Sequence, residues 1–187
     1  MLKLVSELML HRQLNFEEGR MTLLNHPISI IPSDFIVELQ KELEKKHLEN
    51  VIYFAAKIVG ERWFRSMDST YNIKTRDVMK WGPAIIGLAG WGKVTVNTKK
   101  DSKKSLIVTL EKSANAQLYG QSSVPVDHLF RGLVCGAWSF VYGEELDAIE
   151  VKCQAIGDKI CEFLIMPMNR FDMNDLSIRK QLSVPSI

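Results

Sequence analysis

Along the chain, hydrophobic positions switch between a period near two and a period between three and four, and the switches divide the sequence into elements. Residues 14–31, "LNFEEGRMTLLNHPISII", alternate in short runs and predict two or three short strands. Glu17-Glu18-Gly19-Arg20 reads as a turn between them, with Gly19 supplying a positive φ. Pro32-Ser33-Asp34 then ends the strand and opens a helix, Ser33 being the expected N-cap. Phe35, Ile36, Leu39 and Leu43 carry that helix to about His47, where Lys45, Lys46 and His47 suit the negative end of its dipole. A second helix is expected over about 48–67. Val51, Ala55, Ile58 and Arg62 line one stripe, and Ile52, Ala56, Val59 and Trp63 the adjoining one, which predicts burial on more than one side.

Residues 74–91 predict a third helical stretch interrupted at Gly82-Pro83, because proline lacks the backbone donor. Residues 92–97 and 106–111 are rich in β-branched side chains and predict two strands joined by a lysine-rich turn. A fourth helix spans 126–142, preceded by Pro125 and closed by Gly143. Its stripe of Leu129, Leu133, Gly136, Ala137 and Phe140 has small members that admit a neighbouring backbone. Residues 149–165, "IEVKCQAIGDKICEFLI", predict a hairpin turning at Gly157, and a polar helix is expected around 173–181. With no repeat, low-complexity tract or linker, the reading is one domain over 1–187, its core about 10–166 and a tail over 167–187. Three blocks of strands separated by helices predict an α+β fold, an antiparallel sheet with helices on one face.

Composition narrows the function classes. A net charge of +2 leaves no basic footprint for nucleic acid, and the lysine-rich run at 99–104 reads as a solvated turn. No run approaches the ~18 apolar residues of a membrane span, and "MLKLVSELMLHRQ" lacks the apolar core of a secretory signal. Three cysteines, an odd count, fit a reducing cytoplasm. The chain carries no G-x-G-x-x-G, G-x-S-x-G or H-E-x-x-H motif, so catalysis by this chain alone is not expected.

The hairpin holds the candidate chemistry. Folded symmetrically about Gly157, it sets Cys153 opposite Cys161, with Cβ atoms ~4.5–5.5 Å apart. Two thiols that close share a metal, form a strained disulfide, or pack as core. Glu150 lies three residues before Cys153, an odd separation that puts it on the other face of a regular strand. It joins the thiols only if the strand bulges between them, or if it sits where pairing begins.

The run "HLFRGLVCGAWSFVYGEELDAIEVKCQAIGDKICEFLI" resembles the 4-vinyl reductase domain family, whose hairpin has the form E-x-x-C-x-x-x-G-x-x-x-C, met here by Glu150, Cys153, Gly157 and Cys161. The stretch "LNFEEGRMTLLNHPISIIPSDFIVELQKEL" resembles the family's N-terminal part, so the likeness covers most of 10–166. The resemblance implies a NO-signalling/Golgi-transport ligand-binding-like fold, shared with the sensor domains of phenol-responsive activators and with subunits of the TRAPP tethering complex. It also implies a zinc. In the phenol-sensing branch a cysteine near the start of the helix joins the Glu, Cys and Cys of the hairpin. Three of those ligands map onto Glu150, Cys153 and Cys161, but the first cysteine is replaced by Asp127, followed by His128. Zinc accepts imidazole or carboxylate beside thiolate. His128 is the preferred fourth ligand, with Asp127 the alternative or an outer orienting group. Four protein ligands would make the zinc structural. Cys135, outside the motif, is expected in the core.

The resulting expectation is a binding or sensing domain for a small apolar molecule, aromatic or lipid-like. Trp63, Phe64, Trp81, Trp91, Trp138 and Phe140 are material for a pocket wall and equally for a core. The alternatives are a scaffold role like that of the transport-complex subunits, or an accessory to a tetrapyrrole vinyl reductase. A homodimer is expected, with a separate signalling partner reading the bound state.

Overall fold

The structure is a computed structural model describing residues 13–71, 75–98 and 105–184. The lysine-rich turn expected at 99–104 and the first 12 residues lie outside the described residues. Short alternating runs at the N-terminal end form β1 (Leu14–Glu17), β2 (Arg20–Leu23) and β3 (His26–Ile28), an antiparallel sheet of three strands. Glu17 pairs with Arg20, and Gly19 takes the expected positive φ of 71° in the turn between them.

Helix α1 (Ser33–Glu44) begins one residue earlier than the capping pattern implied. Pro32, extended at φ −58° and ψ 136°, occupies the cap position, and no side chain caps the helix. Helix α2 (Asn50–Tyr71) follows, then α3 (Thr75–Leu88). The break expected at Gly82-Pro83 is absent: Pro83 lies inside one helix. Its missing donor forfeits one backbone bond, while burial of Ile85 and packing of Ile86 and Leu88 hold the turn beyond it.

Strands β4 (Lys93–Thr98) and β5 (Leu106–Glu111) lead to α4 (Ala114–Tyr119), α5 (His128–Tyr142), β6 (Asp147–Lys152), β7 (Cys161–Met166) and α6 (Leu176–Leu182). The short α4 has no counterpart among the expected elements; Ser113 caps it by accepting from the Ala116 N–H at 3.1 Å. Strands β4-β5-β7-β6 form the main sheet, antiparallel throughout. Leu106, Val108 and Leu110 of β5 and Cys161, Phe163 and Ile165 of β7 alternate inward and join Phe130, Val134 and Trp138 of α5 in the principal core. The rings of Phe130 and Phe163 lie 5.1 Å apart. The architecture is the expected α+β arrangement of helices and antiparallel sheets.

Helices α2 and α5 meet at backbone contact. A Cβ built on Gly136 would lie 1.9 Å from the Lys57 carbonyl oxygen; on Gly132, 2.3 Å from that of Tyr53; on Gly60, 2.3 Å from that of Leu133. The small-residue stripe on α5 thus makes the close approach its composition suggested, with Gly132 as an added member. Tyr53, fully buried on α2, donates to Asp147 Oδ1 at 2.9 Å and accepts from the Ala148 N–H at 3.0 Å, while Lys57 pairs with Asp147 at 2.8 Å. These bonds tie α2 to β6 and fix α5 between them.

Gly136→Ala should therefore cost about 1–3 kcal/mol or more in urea unfolding, because no flexible side chain can yield to the new methyl. Gly82→Ala, which meets nothing within 4 Å, should be neutral or stabilising by up to ~1 kcal/mol.

Candidate metal centre

The strand β6 is where the parity of the hairpin is settled. Glu150 pairs with Phe163, but Lys152 pairs with Glu162, so Val151 is an extra residue and the register shifts. Burial records the same event: Glu150 is buried, Val151 and Lys152 are exposed, and Cys153 is buried again. The bulge returns Cys153 to the side of Glu150, the condition under which the carboxylate can reach the thiols. One further step of the shifted register sets Cys153 across from Cys161. The chain then closes through a 3-10 turn at Gln154–Ile156 and Gly157, φ 102°.

Asp127 arrives from the other direction. It stands immediately before α5, with a backbone that is not yet helical (φ −84°, ψ 47°) and a side chain that does not cap its own helix. Instead Oδ1 accepts from Ser113 Oγ at 2.8 Å, and the Asp127 N–H donates to Glu150 Oε2 at 3.0 Å. One donor atom each from Asp127, Glu150, Cys153 and Cys161 lies within 4.8 Å of the others, and all four residues are buried. Asp127 Oδ2 and Glu150 Oε1 are buried with no hydrogen-bond partner.

Burial pushes the Asp127 carboxyl above its usual range, and burial together with the neighbouring Asp127 pushes Glu150 well above its own. The hydrogen bond from Cys161 lowers the Cys153 thiol to about 6, while Cys161, which keeps the shared proton, moves up. The backbone N–H of Gln154 donates to Cys161 Sγ at 3.3 Å, a contact that suits a thiolate.

Two oxygen and two sulfur donors at such separations suit a small divalent cation. A tetrahedral zinc with arms of ~2.0–2.3 Å has donor–donor edges of about 3.4–3.8 Å, within reach of a small contraction from 4.8 Å. The two orphaned oxygens are the groups an ion would satisfy. The residues present fit the metal.

His128 lies outside this group. One residue along the helix from Asp127, it turns toward Arg131, whose guanidinium is 3.4 Å from His128 Nδ1. Burial first, then the charges of Arg131 and Lys180, lower its pKa to about 3. Cys135 is core, as expected: fully buried, donating to the Leu146 carbonyl at 3.2 Å, its thiol pushed up to about 11 by burial.

The aromatic residues divide between two clusters. Trp138 is buried in the principal core, with Phe64 and Trp91 packed against it. Phe140 is half-buried under Arg65, 5.6 Å from the ring centroid. Trp63 and Trp81 pack with Leu23, Leu24, Met67 and Ile85 in the second cluster. There the rings of His26 and Trp63 meet edge-on at 6.3 Å, and His26 Nε2 and Trp63 Nε1 are buried without partners. Sequence reasoning missed His26. The only signal for it was a polar ring inside an otherwise apolar strand run.

A depressed histidine pKa means that folding holds His128 neutral, so its contribution to stability is intact above pH ~6.5 and is lost as pH falls toward the folded value. Between pH 6.5 and 5 the wild-type protein should lose up to about 1.4 kcal/mol per pH unit from this group. His128→Gln should show a flatter stability profile over that window in thermal melts.

Residues 106–167 match the family model of the 4-vinyl reductase domain. Over 178 residues the chain is 26% identical to the phenol regulator MopR of Acinetobacter guillouiae, covering 90% of this chain and 31% of that protein. The chain thus spans about a third of the length of that curated relative. The crystal structure of the phenol-responsive sensory domain of the transcription activator PoxR, with phenol, superimposes with a TM-score of 0.75 at 19% identity, covering 96% of each chain. A trafficking protein particle complex subunit 3 from Naegleria fowleri, covalently bound to palmitic acid, gives a TM-score of 0.53 at 13% identity over 72% of this chain and 93% of that one. At these identities both structures bear on the fold. Residues 106–167, which carry all four donors of the buried cluster, are a 4-vinyl reductase domain.

Proposed function

We propose that this protein binds a compact apolar small molecule as a sensing domain, and that a structural zinc held by Asp127, Glu150, Cys153 and Cys161 staples the start of α5 to the β6–β7 hairpin. The carrying observation is the fold match over 96% of both chains to a domain that responds to phenol. Zinc is favoured by the donor set and by the two orphaned oxygens. With four protein ligands it would hold structure and leave no open position for chemistry, which accords with a non-enzymatic role.

The second cluster is the favoured place for the ligand. Trp63, Trp81, Met67 and Ile85 give it an apolar wall, and His26 Nε2 and Trp63 Nε1 give it two unpaired ring nitrogens. Trp63 can only donate, and His26 accepts or donates by tautomer. A single hydroxyl on an apolar body satisfies both, and an unmade buried bond costs ~1–3 kcal/mol until something does. Among the described residues, the two grooves of about 220 and 400 Å³ are open, and neither adjoins this cluster. The ligand would therefore enter by parting side chains. No helix among the described residues is long and apolar enough to cross a membrane. We further propose a homodimer that works in the cytoplasm and passes its bound state to a separate signalling partner.

Elemental analysis of purified protein should give about one zinc per chain. Cys153→Ser or Cys161→Ser should lose it and lower Tm by about 10 °C, whereas His128→Gln should keep it. Metal-free protein of unchanged stability would refute the staple. Isothermal titration with phenol and small alcohols should detect binding that Trp63→Phe weakens about tenfold, one hydrogen bond's worth. Equal affinity in both proteins would remove Trp63 from the site.

A further inference from the structure

Strand β6 is an edge of the main sheet, so Glu150 has backbone groups on its outer side that no strand pairs. They are taken by one side chain from α6. Gln181 Oε1 accepts from the Glu150 N–H at 2.8 Å, and Gln181 Nε2 donates to the Glu150 carbonyl at 3.2 Å. The same Oε1 accepts from Arg131 Nη1 at 2.8 Å.

Arg131 makes this more than an edge repair. It is wholly buried on α5, its guanidinium stacked 4.1 Å over the Tyr53 ring. It donates to Asn50 Oδ1 at 3.3 Å and to the Ala148 carbonyl at 3.4 Å. Among the described residues no carboxylate lies within ion-pair distance of it. A buried cation needs a compensating charge close by. Two carboxylates and two thiolates around a divalent ion sum to −2, and Glu150 is the member of that set whose charge acts on Arg131. Helix α6 is fastened by the same group of residues. Asn50 Nδ2 donates to the carbonyls of Lys180 at 2.7 Å and Ser183 at 3.0 Å, and Leu182 is buried.

We infer that Gln181 is a positioning residue for the metal centre: by joining the Glu150 backbone to the buried Arg131 guanidinium, it couples the docking of α6 to metal occupancy. This rests on the zinc reading above. Because coupling is reciprocal, an ion that fixes Glu150 also holds α6 down, and an undocked α6 loosens the ion. The last helix thereby reports the state of a site whose four donors all lie on other elements.

The test uses the full chain. Zinc affinity is measured by competition with a chromogenic chelator for wild type, Gln181→Ala and Arg179→Ala, the last an exposed position on the same helix. Amide hydrogen exchange over 176–184 is followed in wild type with zinc bound and after chelation. Gln181→Ala should bind zinc about tenfold or more weakly, Arg179→Ala should match wild type, and chelation should speed exchange across α6. The exchange arm needs no variant, so misfolding of Gln181→Ala leaves it decisive. Zinc-binding wild type whose α6 exchange ignores the metal, or Gln181→Ala with unaltered affinity, would overturn the coupling and leave the centre standing. Wild type that takes up no zinc would overturn both.

Discussion

Two carboxylates and two thiols stand side by side in the interior, and an apolar interior does not tolerate such a group without a counter-charge. Left alone, they hold protons. Burial raises both carboxyls, and the thiols divide one proton unevenly between them. Even so, one oxygen on each acid has nothing to bond. A divalent cation resolves all of these at once, by taking the place of the protons and filling the vacant lone pairs. The surrounding architecture makes sense as the means of presenting four donors to one point.

That presentation depends on contacts some way from the donors. Asp127 is placed by the start of α5, and α5 is placed by backbone contact with α2 through Gly60, Gly132 and Gly136. Helix α2 is in turn fastened to β6 by Tyr53 and Lys57 on Asp147. The strand that carries Glu150 and the helix that follows Asp127 are thus referenced to the same third element. The bulge at Val151 then brings Cys153 to the side of Glu150. A change of a single methyl on the α2–α5 contact would move Asp127 relative to the hairpin, so packing and metal affinity should vary together.

Much of this was legible in the sequence because it follows from periodicity. Alternation in "LIVTL" and "CEFLI" gave β5 and β7, and the 3-to-4 spacing gave α2 and α5. Parity gave more: Glu150 and Cys153 sit an odd number apart, so a shared site demanded a bulge, and the bulge is there. What failed was local. Helix α4, six residues of "ANAQLY", is too short to show a period, and Pro83 was read as a break where packing beyond it wins. The preference for His128 rested on ligand chemistry, but adjacent residues on a helix point about 100° apart. Only the fold shows that position 127 faces the thiols and position 128 faces Arg131. The Gln181–Glu150–Arg131 contacts join residues up to 50 positions apart, with no local pattern to announce them.

X-ray absorption at the zinc edge of the purified protein is the most direct measurement of the central claim. The account predicts two sulfur scatterers at ~2.3 Å and two oxygen scatterers at ~2.0–2.2 Å, without the multiple-scattering signature of an imidazole ring. An imidazole in the coordination sphere, a sulfur count other than two, or no zinc edge at all would contradict it.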